Sequence, residues 1–138
     1  MKMDIFAGGT AASLIRINDS IKDQLDQAVY RTGALYRTRV RAGASGRPGP
    51  RVKTGNYRRS ISQINTHSGD RAVALVQSNA PQARRLEYGF VGRDALGRIY
   101  NQDPLPHWGP AMVGIPEELE RQVKAAVNGS LGRAWRDR

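Results

Sequence analysis

The chain contains no cysteine, which excludes disulfides, thiolate chemistry and any zinc site with sulfur ligands. It has no apolar run of about 18 residues, so no membrane-spanning helix is expected. The opening Met1-Lys2-Met3-Asp4-Ile5-Phe6 lacks the apolar stretch and cleavage site of a secretory signal. A soluble protein of a reducing compartment, without membrane contact, is therefore expected. Acidic residues are scarce, 12 against 22 Lys plus Arg, and none stands between Asp26 and Asp70. Histidine is rarer still, with only His67 and His107.

What the chain does hold is positive charge. Its 138 residues fit one domain. With 39% hydrophobic and 25% charged residues, a modest core is expected rather than disorder. The net charge is +10, and 18 of the 22 bases are arginine. Arginine keeps its charge, forks onto phosphate or carboxylate and sheds water more readily than lysine. Such a balance points to a polyanionic neighbour or an acidic protein surface, with arginine-rich codon usage as the bland alternative. The acid-free stretch carries Arg31, Arg37, Arg39, Arg41, Arg47, Arg51, Lys53, Arg58 and Arg59. Like charges at this density repel unless something negative lies close. The acids cluster elsewhere, at Asp19, Asp23 and Asp26 and at Glu117, Glu118 and Glu120. A basic band with separate acidic patches suits pairing with copies of itself or standing against DNA, and composition leaves both open.

Residues 1–10, Gly8-Gly9 included, read as a loose leader without period, and a short strand around Leu14, Ile15 and Ile17 follows it, the two making up residues 1–18. Asn18-Asp19-Ser20 offers a helix N-cap. Ile21, Leu25, Ala28, Val29, Leu35, Tyr36 and Val40 then recur at helical spacing, predicting an amphipathic helix over 19–42. Its early acids suit the positive end of the helix dipole, and Arg37, Arg39 and Arg41 suit the negative end. Gly33 is a weak point, costing about 1 kcal/mol relative to Ala. Residues 43–50 hold Gly43, Gly46, Pro48, Gly49 and Pro50, so a flexible basic loop follows. Arg47 to Lys53 is expected to be disordered in the free protein and to order on assembly.

Tyr57, Ile61 and Ile64 anchor a predicted strand over 57–66. With 71–77 it makes a hairpin about Ser68-Gly69-Asp70. Pro81 opens a short helical turn through Leu86, ended by Gly89. Residues 90–104 read as an extended loop or second hairpin projecting from the body. Residues 110–127 are helical in composition, with Pro116 forcing a break or a new first turn. Leu119, Val123, Ala126 and Val127 give the buried stripe, and Gly129 and Gly132 end it, leaving 129–138 as a tail. The expected fold class is α+β: a long N-terminal helix, a small antiparallel sheet, a projecting loop and a C-terminal helix. One domain over 19–128 holds it.

Catalysis needs a nucleophile, an acid–base pair or a metal on a firm scaffold. His107, flanked by Pro106 and Trp108, reads as a packing or hydrogen-bonding residue. Glu87, Asp94 and Asp103 come nearest to a metal cluster, yet lack the ligand spacing of a calcium loop. Gly89 to Gly92 is not followed by the Lys-Ser/Thr of a phosphate-binding loop. No catalytic residue, cofactor or metal is expected, and no enzyme. Zinc fingers, a defensible helix-turn-helix and the paired aromatic strands of an RNA-binding sheet are equally missing. Any contact with DNA would go to phosphates and ignore sequence.

Two segments are recognisable together. The first is Val52-Lys53-Thr54-Gly55-Asn56-Tyr57-Arg58-Arg59-Ser60-Ile61, after a long helix and a proline-bearing loop. The second is Ala83-Arg84-Arg85-Leu86-Glu87-Tyr88-Gly89, followed by Pro106-His107-Trp108-Gly109-Pro110-Ala111 and a helix. In this order they resemble the neck and tail-completion family of long-tailed bacteriophages, small proteins that finish the head–tail joint. That family's pattern runs Pro-x-x-Thr-Gly-x-Leu-Arg-x-Ser, then a strand pair, Tyr-Ala-x-x-x-Glu-x-Gly-Thr, and Pro-x-aromatic-x-x-Pro-Ala. The match spans residues 19–128. Tyr57 stands where the pattern has Leu, Gln82 where it has Tyr, and Phe90 where it has Thr.

The resemblance implies a non-enzymatic virion protein at the head–tail junction, assembled in the host bacterial cytoplasm, a ring joining the portal complex to the tail tube. Its implied partners are copies of itself, portal/adaptor or head-closure proteins, and tail-tube or terminator proteins. Genomic DNA in the channel is a further, non-specific one. A ring of about six copies is the first expectation and about twelve the second. A tail terminator capping the tube and a sequence-independent DNA-binding protein are the alternatives. Arg47, Arg51, Lys53, Arg58 and Arg59 are the candidates for the interface or the DNA-facing lumen. Thr54, Gly55, Ser60, Glu87, Gly89, Pro106, Trp108 and Pro110 are the structural positions of the motifs. Thr54-Gly55 would make the entry from loop to strand, with Arg58, Arg59 and Ser60 facing a partner or the channel. Glu87 would accept backbone N–H groups or pair with Arg84 or Arg85, and Trp108 would anchor the projecting loop, its burial worth about 2–3 kcal/mol.

Overall fold

Apolar side chains recurring every three or four residues carry the first long helix, α1, from Asp19 to Gly43. Ile21, Leu25, Ala28, Val29, Tyr36 and Val40 on that stripe are all buried. The computed structural model describes residues 2–7, 19–69 and 71–136, with side chains for 21–69 and 71–132. The expected strand at Leu14–Ile17 lies outside the described residues.

Alternation by two builds the sheet. Strand β3 (Arg71–Gln77) buries Ala72, Ala74 and Val76 and leaves the residues between them partly open. It is the central strand, flanked by β1 (Lys2–Ala7) and β2 (Ser62–Ser68) in the order β1-β3-β2, both pairings antiparallel. Ile5 and Asn65 lie opposite Ala74. The expectation that residues 1–10 lack regular structure is thus corrected for 2–7, which pair along β3 far away in sequence. The 62–77 hairpin forms as expected.

Helix α1 crosses the inner face of this sheet at Gly33. A Cβ there would lie 2.5 Å from the Ala74 Cβ and 2.8 Å from Gln63 Nε2. The glycine that weakens the helix locally is what permits its close approach to β3. Gln63 Nε2 also donates to the Tyr30 carbonyl at 2.9 Å, and His67 meets Asp26 at 3.0 Å.

Between β3 and the C-terminal half stand α3 (Ala83–Tyr88) and a two-stranded hairpin of β4 (Phe90–Arg93) and β5 (Ile99–Gln102). The projecting element of 90–104 is therefore a second hairpin. Then come α4 (Trp108–Met112) and α5 (Ile115–Arg136), divided at Gly114 with φ +78°. Helix α5 does not end at Gly129 or Gly132. No Cβ position there meets a neighbour, and each glycine costs a helix only about 1 kcal/mol. The expected tail is helical through Arg136, and residues 137–138 lie outside the described residues.

The core has three parts, one of them Val29 of α1 against Ala72 and Ala74 of β3. Tyr36, Val40, Ile61, Val76, Trp108 and Ile115 form the largest cluster, where α1, β3 and α4 meet. Ile21 and Leu25 pack against Val123, Ala126 and Val127, holding the start of α1 to the middle of α5. No helix among the described residues is long and apolar enough to cross a membrane.

Candidate functional site

The Thr54-Gly55 turn leads into a helix, α2 (Asn56–Ser60), and not into a strand. Gly55 takes φ +79°, and the Thr54 hydroxyl accepts the Asn56 N–H at 3.3 Å, so the pair works as a helix entry. Tyr57, expected as a strand anchor, is consequently helical. Arg59 folds back over this turn, donating to the Thr54 carbonyl at 3.4 Å and to Asn56 Oδ1. Ser60 turns inward: its hydroxyl donates to the Tyr57 carbonyl at 2.5 Å and accepts from the Ser78 hydroxyl at 2.7 Å. Of the three residues expected to face outward, Ser60 points into the body, Arg59 is engaged at its own turn, and Arg58 is exposed.

A groove of about 580 Å³ opens beside this turn. Arg47, Arg51, Lys53 and Arg58 line it, bringing together four of the five interface candidates. The segment that carries them is irregular, as expected. It is nevertheless anchored, because Gly49 and Pro50 are buried and a Cβ at Gly49 would overlap the Gly43 carbonyl. Pro50, Val52, Tyr57, Leu86 and Leu105 supply an apolar lining. The wall formed by Leu86, Gln102 and Leu105 was not legible in the sequence. These residues carry no charge and reach the groove only through the fold.

The other bases of the acid-free stretch have separate tasks. Arg41 donates through Nε and a terminal nitrogen to the Ile61 carbonyl at 3.1 and 2.6 Å. Arg39 donates to the Val113 carbonyl at 3.0 Å, and Arg37 buries its Nε without a partner. The basic band is therefore not one surface. Part of it braces carbonyl groups of the fold and part rims the groove.

Behind the groove, Glu87 organises the return of the chain from the second hairpin. Its carboxylate accepts the backbone N–H groups of His107, Trp108 and Gly109 at 2.8, 3.0 and 2.9 Å. These are donors at the start of α4 that have no partner within the helix. Burial pushes the Glu87 carboxyl up, but the three backbone donors together outweigh it and hold the group below the ordinary glutamate value. Glu87 lies beside the His107 imidazole and has no hydrogen bond to Arg84 or Arg85. Gly89, at φ +77°, closes the same junction: a Cβ would come within 2.6 Å of the Gln102 carbonyl. The Leu105 N–H donates to the Leu86 carbonyl at 2.7 Å.

Tyr57 joins this clamp to α2. The Leu105 carbonyl can only accept, so His107 Nδ1 carries the hydrogen that reaches it at 2.9 Å. Nε2 then accepts from the Tyr57 hydroxyl at 2.6 Å, and the same hydroxyl accepts from Trp108 Nε1 at 3.0 Å. Burial raises the Tyr57 pKa, opposed by the Trp108 hydrogen bond. Trp108 is fully buried edge-on to Tyr36, whose hydroxyl donates to the Trp108 carbonyl at 3.2 Å. Pro106 and Pro110 are exposed, Pro110 in the first turn of α4 where no helical N–H is lost.

None of the groove's lining residues is a carboxylate or a histidine. No cluster of three metal-ligating side chains occurs among the described residues. The groove presents four bases beside an apolar lining. Fold and groove together thus define a small α+β module with a basic recess and a rigid clamp behind it. Residues 10–89 match the model of the HK97-gp10-like family, whose description reads "Bacteriophage HK97-gp10, putative tail-component". The match covers more than half of the chain, and the protein belongs to this family of phage structural components, as the motif order implied. No curated protein and no solved structure matched it.

Proposed function

We propose that the protein is a non-enzymatic ring component of the phage head–tail connector, joining the portal side of the neck to the tail tube. The observation that carries this reading is the family match, and the basic groove gives it a surface. Its partners are neighbouring copies, about six or about twelve to a ring, the portal/adaptor or head-closure protein above and the tail tube or its terminator below. Genomic DNA passing through the ring meets bases without being read.

Phage carrying a deletion of this gene tests the reading. The expected outcome is filled heads and finished tails accumulating separately, with a labelled copy restoring the joint and appearing at the neck. Normal joined particles from the deletion would remove it. The family description names the tail, which favours a second reading, a terminator capping the tube. Tails of uncontrolled length in the deletion would select that one.

A further inference from the structure

We propose that the groove of one copy receives the α4–α5 corner of the next, so that the protein associates with itself head to tail through these two surfaces. This rests on the self-associating ring reading above and names the contact. The corner is an apolar knob with acids behind it. Val113 is 76% exposed, and Pro116, Glu117 and Glu120 are exposed along the first turns of α5. Arg39 holds the Val113 carbonyl at 3.0 Å, so the knob is fixed in place. Glu120 meets Lys124 at 2.8 Å, an ion pair open to water on both sides and therefore easily exchanged. Glu117 has no ion pair among the described residues.

The groove is the matching negative. Its Pro50, Val52, Leu86 and Leu105 lining gives Val113 and Pro116 apolar surface to cover. Its four bases, with no acid among the lining residues, stand ready for Glu117 and Glu120. A recess of about 580 Å³ takes the whole corner, not one side chain.

Charge decides against the exposed apolar side chains of the second hairpin. The β4–β5 hairpin presents Val91, Leu96 and Ile99 at 73–79% exposure. Between Phe90 and Gln102, however, it carries Arg93 and Arg98 with Asp94 as the sole acid. Asp94 is already occupied by Arg98 and the Leu96 N–H. Seated in a basic groove, that hairpin would bring like charges together. DNA would satisfy the rim but not the apolar lining, and the groove offers no free aromatic face for base stacking, since Tyr57 is tied to His107 and Trp108. Knob and groove share no residue, so the contact is heterologous and closes into a ring or continues as a filament, according to its angle.

The absence of native cysteine makes the test direct. Full-length V113C and V52C are prepared separately, both at exposed positions, and treated with a short bis-maleimide at high protein concentration, alone and mixed. The expected result is a cross-linked dimer in the mixture and in neither protein alone. Adding E117R and E120R to the V113C chain should lower its yield about tenfold, and R51E with K53E in the V52C partner should restore it. Dimers of V113C with itself would indicate a symmetric contact and overturn the proposal, as would a mixture without cross-links. Duplex DNA retained by the wild-type chain and lost by R51E/K53E, without the mixed cross-link, would assign the groove to DNA instead. If the cross-link fails while deletion phage still accumulate separate heads and tails, this contact falls and the connector reading stands. If the cross-link forms while deletion phage assemble normally, the contact stands and the connector reading falls.

Discussion

One carboxylate answering three amide groups makes Glu87 the residue on which the clamp depends. Removing it leaves those N–H groups without their acceptor, those of His107 and Trp108 buried, and each such buried loss costs about 1–3 kcal/mol. Glu87→Ala is therefore expected to destabilise the protein by about 3–5 kcal/mol, measured by urea unfolding. Its pH dependence has a definite sign. The folded pKa lies below the ordinary value of 4.5, so the stability it contributes is complete above that value. It is lost as pH falls through the folded pKa. The gap between wild type and Glu87→Gln should accordingly narrow on acidification, and a gap constant with pH would contradict this account. Tyr57 is the second such residue. Tyr57→Phe takes the acceptor from Trp108 Nε1 and the donor from His107 Nε2, and is expected to cost about 2 kcal/mol. The motif places Leu at this position, so nothing in the sequence announced the hydroxyl's work. Its partners lie some fifty residues further along the chain.

At the level of elements, what could be read was what repeats. Helix α1 was legible because its stripe runs through 25 residues, and β3 because an unbroken apolar run, Ala72 to Val76, lies between Arg71 and Gln77. Helix α2, at five residues, is too short to show a period, so Tyr57 passed for the first residue of a strand. Strand β1 stayed hidden because its pairing partner, β3, lies far along the chain. Gly33 was legible as a weakness but not as a requirement, since only the packed fold shows Ala74 beneath it. Gly33→Ala gains helix propensity yet places a methyl against the Ala74 Cβ on a central strand that cannot rotate away. The net expected effect is a loss of about 1–3 kcal/mol, checked by thermal unfolding, and a stabilised variant would refute the crossing geometry. The 47–53 segment gives a further expectation. Gly49 and Pro50 anchor it while Arg51, Val52 and Lys53 are exposed, so trypsin should cut first after Arg51 and Lys53, and a bound partner should slow that cleavage.

For the whole molecule, the sequence announced the charge but not its division. Nine bases read as one band because composition has no direction. Folding sends Arg39 and Arg41 to carbonyl groups, Arg59 to its own turn and four others to a groove. This separates two substitutions that look equivalent in sequence. Arg59→Glu should lower stability by about 1 kcal/mol through the lost turn contacts. Arg58→Glu should leave the melting temperature unchanged and impair particle assembly, scored as separate heads and tails or as leaking DNA. Normal assembly with Arg58→Glu would sever the groove from function. The hairpin's two feet have a different kind of consequence. Glu87, Gly89 and the Leu86–Leu105 hydrogen bond fasten the chain where it leaves the body and where it returns. Its tip at Gly97, φ +77°, bonds within the hairpin, to the Asp94 carbonyl at 3.0 Å, and a Cβ there would meet nothing within 4 Å. Such a segment behaves as an interchangeable cassette on a sealed socket: its length and sequence can drift, or be replaced by a foreign epitope between Leu96 and Gly97, while the body beneath keeps its shape.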